Sequence, residues 1–293
     1  MITTNDYCRA QFGEKVYKLS LSCSHTCPTR DGSLGTRGCI FCSAGGSGDF
    51  AESGLLPVSE QIELAKARVA EKFRGGRFIA YFQAFTSTYA PIDKLREAFF
   101  TAASRPDIAA ISIATRPDCL GDDVLSLIAG LEELKPVWVE LGLQTIHEST
   151  AEYIRRGWAL PVFDEAVEKL GRLGVHTIVH VILGLPGETR EDMLETVSYA
   201  VRSGAKGIKL QLLHVLEGTD LALDYRAGRF SVMDMETYVS LVCDCLELLP
   251  EDMVVHRLTG DGPKKLLIAP QWSADKKRVI NALNNEMRRR GIR

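Results

Sequence analysis

The chain has 293 residues, 45% of them hydrophobic and 25% charged, with a formal net charge of −3 at neutral pH. That length suits a single α/β barrel and that composition a soluble protein with a substantial core, and no apolar run approaches the 18 or so residues of a membrane span. The eight cysteines follow an N-terminus, Met1-Ile2-Thr3-Thr4, that carries no secretory signal. They point to a reducing cytoplasm, where clustered thiols mean metal or catalysis rather than disulfides.

Short apolar runs alternate with amphipathic stretches along the chain. Strands are expected at Val16–Ser22, Phe78–Ala84, Ile108–Ala114, Val137–Leu143, His176–Leu183, Gly207–Leu213 and Met253–Leu258. Phe78-Ile-Ala-Tyr-Phe and Thr177-Ile-Val-His-Val-Ile-Leu are nearly continuous rather than alternating, as in a parallel sheet buried on both faces. Between them, Ser59 opens a helix running towards Arg74, Pro91 suits a first helical position, and Thr189-x-x-Asp192 reads as a capping box. Ser273 is the expected cap of the last helix.

Repeated strand–helix units predict a partial (β/α)6 TIM-like barrel over residues 1–213, with a C-terminal α/β extension over 214–293. From His256 to Arg293 the chain carries ten Lys or Arg against three acids, so the remainder is at about −10. A basic tail on an acidic body suits a polyanionic partner, although a solvated helix face gives the same pattern.

The loop after the first expected strand holds Cys27, Cys39 and Cys42 in the spacing Cys-x11-Cys-x2-Cys. Three thiolates can ligate three irons of a cubane cluster and leave the fourth iron open for chemistry. Phe41 adds an aromatic face beside that open corner. Adding Cys23 gives a four-thiolate set that would also suit a tetrahedral zinc, so both readings stand on these residues alone. Gly32, Gly35 and Gly38 allow backbone N–H groups to approach cluster sulfides, while Arg30 and Arg37 can offset cluster charge or bind a substrate anion. Gly45-Gly-Ser-Gly48 reads as a hinge, and Cys243-x-Cys245 as buried structural thiols on a helix.

Cys-Pro-x-Arg-Asp-Gly-x-x-Gly-x-x-Gly-Cys-x-Phe-Cys resembles the cluster motif of the YhcC/YtqA-type radical S-adenosylmethionine (SAM) family, which is related to the Elp3-like enzymes. The likeness continues through Tyr81–Pro91, Thr115–Asp118, Val139–Gln144, His180–Glu188 and His256–Gly262, in the family's order. The resemblance implies a [4Fe–4S] cluster on Cys27, Cys39 and Cys42, with Cys23 as a spare thiol. It also implies that SAM is chelated at the open iron and cleaved to methionine and a 5′-deoxyadenosyl radical.

SAM contacts are implied at Phe41, at Gln83, Ala84 and Thr86 on the second strand end, and at Thr115. Gln144 and Arg156 would address the SAM carboxylate, with Arg155 as the neighbouring alternative. Ile182 or Leu183 and the turn Gly184-Leu185-Pro186 would meet the adenine. His180 and Arg257 are the candidate catalytic residues, and a low-potential donor of flavodoxin or ferredoxin type would supply the electron.

Kinship to the Elp3-like enzymes, together with the basic tail, favours tRNA wobble uridine as substrate. The chain has no room for an added acetyltransferase domain, so an acyl group would have to come from elsewhere. A small metabolite or peptide is the alternative substrate, and a zinc-binding adaptor is the alternative of another class. Phosphate contacts are expected from Lys264, Lys265, Lys276, Lys277, Arg278, Arg288, Arg289 and Arg290.

Overall fold

The computed structural model describes residues 1–23, 26–71, 73, 75–260 and 262–292. Among the described residues the strands are β1 (Ile2–Thr3), β2 (Tyr17–Leu21), β3 (Phe78–Phe82), β4 (Ile108–Thr115), β5 (Val137–Gln144), β6 (His176–Leu183), β7 (Gly207–Leu212), β8 (Val215–Leu216), β9 (Val254–Arg257) and β10 (Leu267–Ala269). Eight of them form one sheet in the order β1-β9-β7-β6-β5-β4-β3-β2. Every pairing in it is parallel.

The six strands β2 to β7 lie side by side in sequence order, as the expected partial barrel requires. The sheet then goes beyond six: β9, from the C-terminal third, pairs with β7, and the unexpected β1 closes the edge on β9. β8 and β10 form a separate antiparallel pair beyond the strand ends.

Parallel strands need crossovers, and helices supply them. Every residue of β3 is buried, as its continuous apolar run demands. The helix Ile92–Ala103 lays Leu95, Phe99 and Ala102 on the sheet, with Phe99 edge-on to Phe82 at 4.9 Å between ring centroids. Burying a side chain of that size contributes about 1.5–3 kcal/mol.

Thr189 caps the helix Arg190–Arg202, accepting from the Asp192 amide while the Asp192 carboxylate accepts from the Thr189 amide. Pro57 and Pro91 are the residues just before Val58–Val69 and Ile92–Ala103, so both helices start within a residue or so of the expected points. The first of these ends at Val69, and Arg74 lies outside the described residues.

Ser273 is not the cap of the last helix. Its hydroxyl donates to the Pro270 carbonyl inside a short turn, and Asp275 caps Lys276–Arg290 by accepting from the Arg278 amide. Among the described residues no helix is long and apolar enough to cross a membrane.

Candidate active site

Parallel strands bring their following loops to one rim, where sites in such barrels form. A cavity of about 610 Å³ opens there and descends between the strands. Its rim is built from the cysteine loop after β2, Gln83 and Thr86 after β3, Thr115 and Arg116 at the end of β4, Gln144 on β5 and Gly260, Gly262 and Pro263 after β9.

Cys27, Cys39 and Cys42 all line this cavity, and Cys23 does not. The Cys23 thiol donates to the Ser87 carbonyl, and burial pushes it up to about 12. Cys27 Sγ lies 3.1 Å from the Thr29 hydroxyl and Cys42 Sγ 3.5 Å from that of Ser47. Burial, with Cys42 adding to it, pushes the Cys39 thiol up to about 12, and burial also raises Cys42. A coordinated metal ionises such thiols outright.

The three sulfurs do not all lie within 4.8 Å of one another; among the described residues only His147, Asp192 and Glu195 form so tight a group. One tetrahedral zinc would hold thiolates about 3.8 Å apart, from its Zn–S distance of about 2.3 Å. The wider spacing suits a polynuclear group.

Gln144 sits at a positive φ of 67°, and its Oε1 is buried with no partner among the described residues. Gly142 makes the room for it, since a Cβ there would stand 2.5 Å from Gln144 Nε2. An unpaired buried acceptor on the wall calls for a donor from a ligand, so this oxygen suits an ammonium such as SAM carries rather than the SAM carboxylate that the resemblance implied.

Arg156 also lines the cavity, but it is 2% exposed and committed to its own chain. It donates to the Trp158 and Thr145 carbonyls and stacks over the Trp158 ring at 4.1 Å. Arg155 turns elsewhere, onto Asp220.

Phe41, Gln83, Thr86, Thr115, His180, Ile182 and Arg257 reach the cavity as expected from sequence, whereas Ala84, Gly184, Leu185 and Pro186 lie outside its lining. Leu183 faces the main core and Leu185 joins a smaller apolar cluster with Ile154 and Leu213.

One loop reading changes. Gly45–Gly48 is packed rather than hinged: Gly46, at φ +60°, is so close to Phe85 that a Cβ would sit 2.2 Å from the ring. Arg30 donates to the Cys42 and Ser43 carbonyls and so braces the loop, and its charge acts to lower the Cys42 thiol.

Sequence reasoning missed the cavity floor. Glu140 on β5 is fully buried and satisfied on both oxygens: Oε1 accepts from Lys18 Nζ at 2.7 Å and Ser112 Oγ at 2.8 Å, Oε2 from His180 Nε2 at 2.8 Å and from Lys209 Nζ. Lys209 also reaches the Tyr81 hydroxyl, and Gln211 donates to His180 Nδ1, which fixes the imidazole tautomer.

Burial acts to raise the Glu140 carboxyl, but Lys18 and Lys209 outweigh it and hold it well below the usual range. Burial, with Lys209 adding to it, lowers His180 to about 4, so the ring is neutral. One signal was available. A lone Glu in Val-Trp-Val-Glu-Leu-Gly-Leu, a run that reads as buried, must have partners.

The model of the radical SAM superfamily matches residues 32–200, and that of the radical SAM C-terminal domain matches residues 205–289. The chain belongs to the radical SAM superfamily. It is 46% identical to the uncharacterized protein YtqA of Bacillus subtilis over 99% of this chain and 90% of that one, and 33% identical to the protein YhcC of Escherichia coli over 96% and 90%. A tRNA uridine(34) acetyltransferase of Methanocaldococcus jannaschii is 24% identical over 54% of this chain and 29% of its own. In fold the chain is similar to the archaeal Elp3 of Methanocaldococcus infernus, with a TM-score of 0.68 and 17% identity over 81% of this chain and 60% of that one. The protein is thus a radical SAM enzyme, of a class that uses a [4Fe–4S] cluster and SAM. Such enzymes draw on an external electron donor.

Proposed function

We propose that this radical SAM enzyme modifies a uridine of tRNA at the wobble position. The observation that carries the reading is the cavity mouth. Gly262 and Pro263 line it, and the exposed Lys264 and Lys265 follow in the same loop, where they can meet phosphates. The likeness to a tRNA uridine(34) acetyltransferase supplies the choice of base. The chain spans only 29% of that protein, so acetyl transfer is not carried over.

A cavity this deep takes a base only after the base leaves its stack. When bound, the cluster and SAM supply reductive cleavage of the sulfonium and a radical able to take hydrogen from a C–H bond. The chain's own residues do the rest. Cys27, Cys39 and Cys42 hold three irons, Gln144 accepts from the SAM ammonium, and Gln83, Thr86, Thr115 and Arg156 shape the methionyl end. Phe41 and Ile182 flank the adenine. Lys18, held by Glu140, presents a fixed donor to whatever part of the substrate reaches the floor, beside the His180 ring that Glu140 and Gln211 lock in place.

A cytoplasmic donor of flavodoxin or ferredoxin type would deliver the electron. Residues 1–213 would carry the chemistry, and 214–293 would complete the sheet and face the RNA. The test is the modified-nucleoside profile of tRNA from cells lacking the gene. One wobble uridine derivative should vanish or be replaced by its precursor, and an unchanged profile would sink the tRNA reading.

A further inference from the structure

The cysteine loop is tied to the C-terminal third of the chain at a single carboxylate. Asp220, the first residue of the helix Asp220–Arg226, accepts from Arg37 Nη2 on Oδ1 and from Arg155 Nη1 on Oδ2, each at 2.5 Å. Arg37 belongs to the loop between Cys27 and Cys39. Arg155 comes from behind it, held at a positive φ of 59°, and also reaches the Gly38 carbonyl at 3.5 Å.

The ligand is close on both sides. The Cys39 thiol lies 3.8 Å from the Arg155 carbonyl, the Ile40 amide donates to the Ile154 carbonyl, and the Leu221 amide donates to the Ile40 carbonyl. Ile40, Ile154 and Leu221 then pack in one apolar cluster. Residues 38–40 are therefore gripped from two separate parts of the chain, and both grips meet at Asp220. A non-glycine residue in the left-handed region persists only where its surroundings over-determine it, and Arg155 meets that condition here.

We infer that Asp220 is a positioning residue for the cluster, setting the Cys39 thiolate by clamping Arg37 and Arg155. The inference rests on the assignment of Cys27, Cys39 and Cys42 as ligands. It makes cluster retention depend on the segment after residue 213, although every ligand lies before residue 43.

The experiment measures iron loss from anaerobically reconstituted full-length protein to an excess of chelator, alongside the EPR line shape of the reduced cluster and the melting temperature. Asp220→Asn keeps the shape and removes the charge. It should lose iron about tenfold faster and broaden the EPR signal, since Asn keeps one acceptor oxygen and one of the two arginines loses its charge-assisted hydrogen bond. Asp220→Glu should restore most of the retention. Arg226→Gln, which lies on the same helix and breaks an exposed pair with Glu217 ahead of it, should match the wild type.

A lowered melting temperature with wild-type iron loss and line shape would mean a merely structural role and overturn the inference. If Asp220→Asn fails to fold, Arg37→Gln decides, since that side chain is 65% exposed and its loss leaves the core intact. Roughly threefold faster iron loss then supports the clamp, and wild-type retention refutes it. A wild-type protein that takes up no cluster would instead sink the ligand assignment itself.

Discussion

The rim and the floor of the same cavity are built by opposite means. At the rim, three thiols from one 16-residue loop do the work, with glycines and arginines from that loop shaping it. At the floor, one carboxylate is satisfied by side chains from β2, β4, β6 and β7, so that Lys18 and Lys209 meet across almost two hundred residues. The rim is chemically specific and contributes little to the fold until a metal arrives. The floor is part of the fold itself, because breaking a buried charged network leaves unpaired ions in a low dielectric.

Substitution should separate the two regions most sharply by all-or-none loss of the chromophore. Ala at Cys27, Cys39 or Cys42 should abolish the brown colour and iron content while moving the stability of the metal-free protein by under about 1 kcal/mol. Ala at Cys23 should leave the colour, and loss of colour there would redraw the ligand set.

The floor should answer the other way. Glu140→Gln should cost about 3–5 kcal/mol in urea unfolding, because it strips Lys18 and Lys209 of their counter-charge. A second change, Lys209→Met, should recover part of that loss. Equal stability of Glu140→Gln and wild type would remove the network from the account.

Acid should attack the floor before the rim. His180 on the floor is lowered by burial to about 4; His176, also lowered to about 4, and His256, well below its ordinary value, face each other outside the cavity lining and are depressed for the same reason. Between pH 6.5 and about 4 the unfolded chain therefore binds more protons than the folded one, and stability falls as the pH falls. For His180 the slope is at most about 1.4 kcal/mol per pH unit. Urea midpoints at pH 7 and pH 5 should differ accordingly, and a flat profile would contradict the buried neutral imidazoles.

The smallest effect concerns the mouth. Charge reversal at Lys264 and Lys265 should reduce the salt dependence of tRNA binding by a log–log slope of about 1.4, or 0.7 for each single-strand phosphate contact. The far end of the last helix should matter less. Arg289 and Arg290 already pair with Glu286, and Arg290 also with Asp244. Arg288 lies about 18 Å along the helix from Lys276. A uniform effect along the helix would argue for a different docking face.

What the sequence disclosed follows the same divide. The cysteines, Phe41 and the strand ends were legible because local spacing and apolar runs encode them, and Gln144 was singled out only through the family resemblance. Glu140 stood inside a quoted motif, yet nothing in one sequence says that Lys18, His180 and Lys209 converge on it, since that depends on the register of four parallel strands. The clamp at Asp220 was hidden for the same reason: Arg155 stood only as the alternative to Arg156, and its partner lies 65 residues away. Capping by Asp275 instead of Ser273 turned on a local hydroxyl already used by Pro270.

The most direct test of the central claim is single-turnover formation of 5′-deoxyadenosine by the anaerobically reconstituted, chemically reduced protein, with and without tRNA from cells that lack it. The account predicts slow cleavage of SAM alone and a severalfold larger burst with that tRNA, matched by a mass change in one uridine. Cleavage indifferent to the tRNA, with no altered nucleoside, would contradict it.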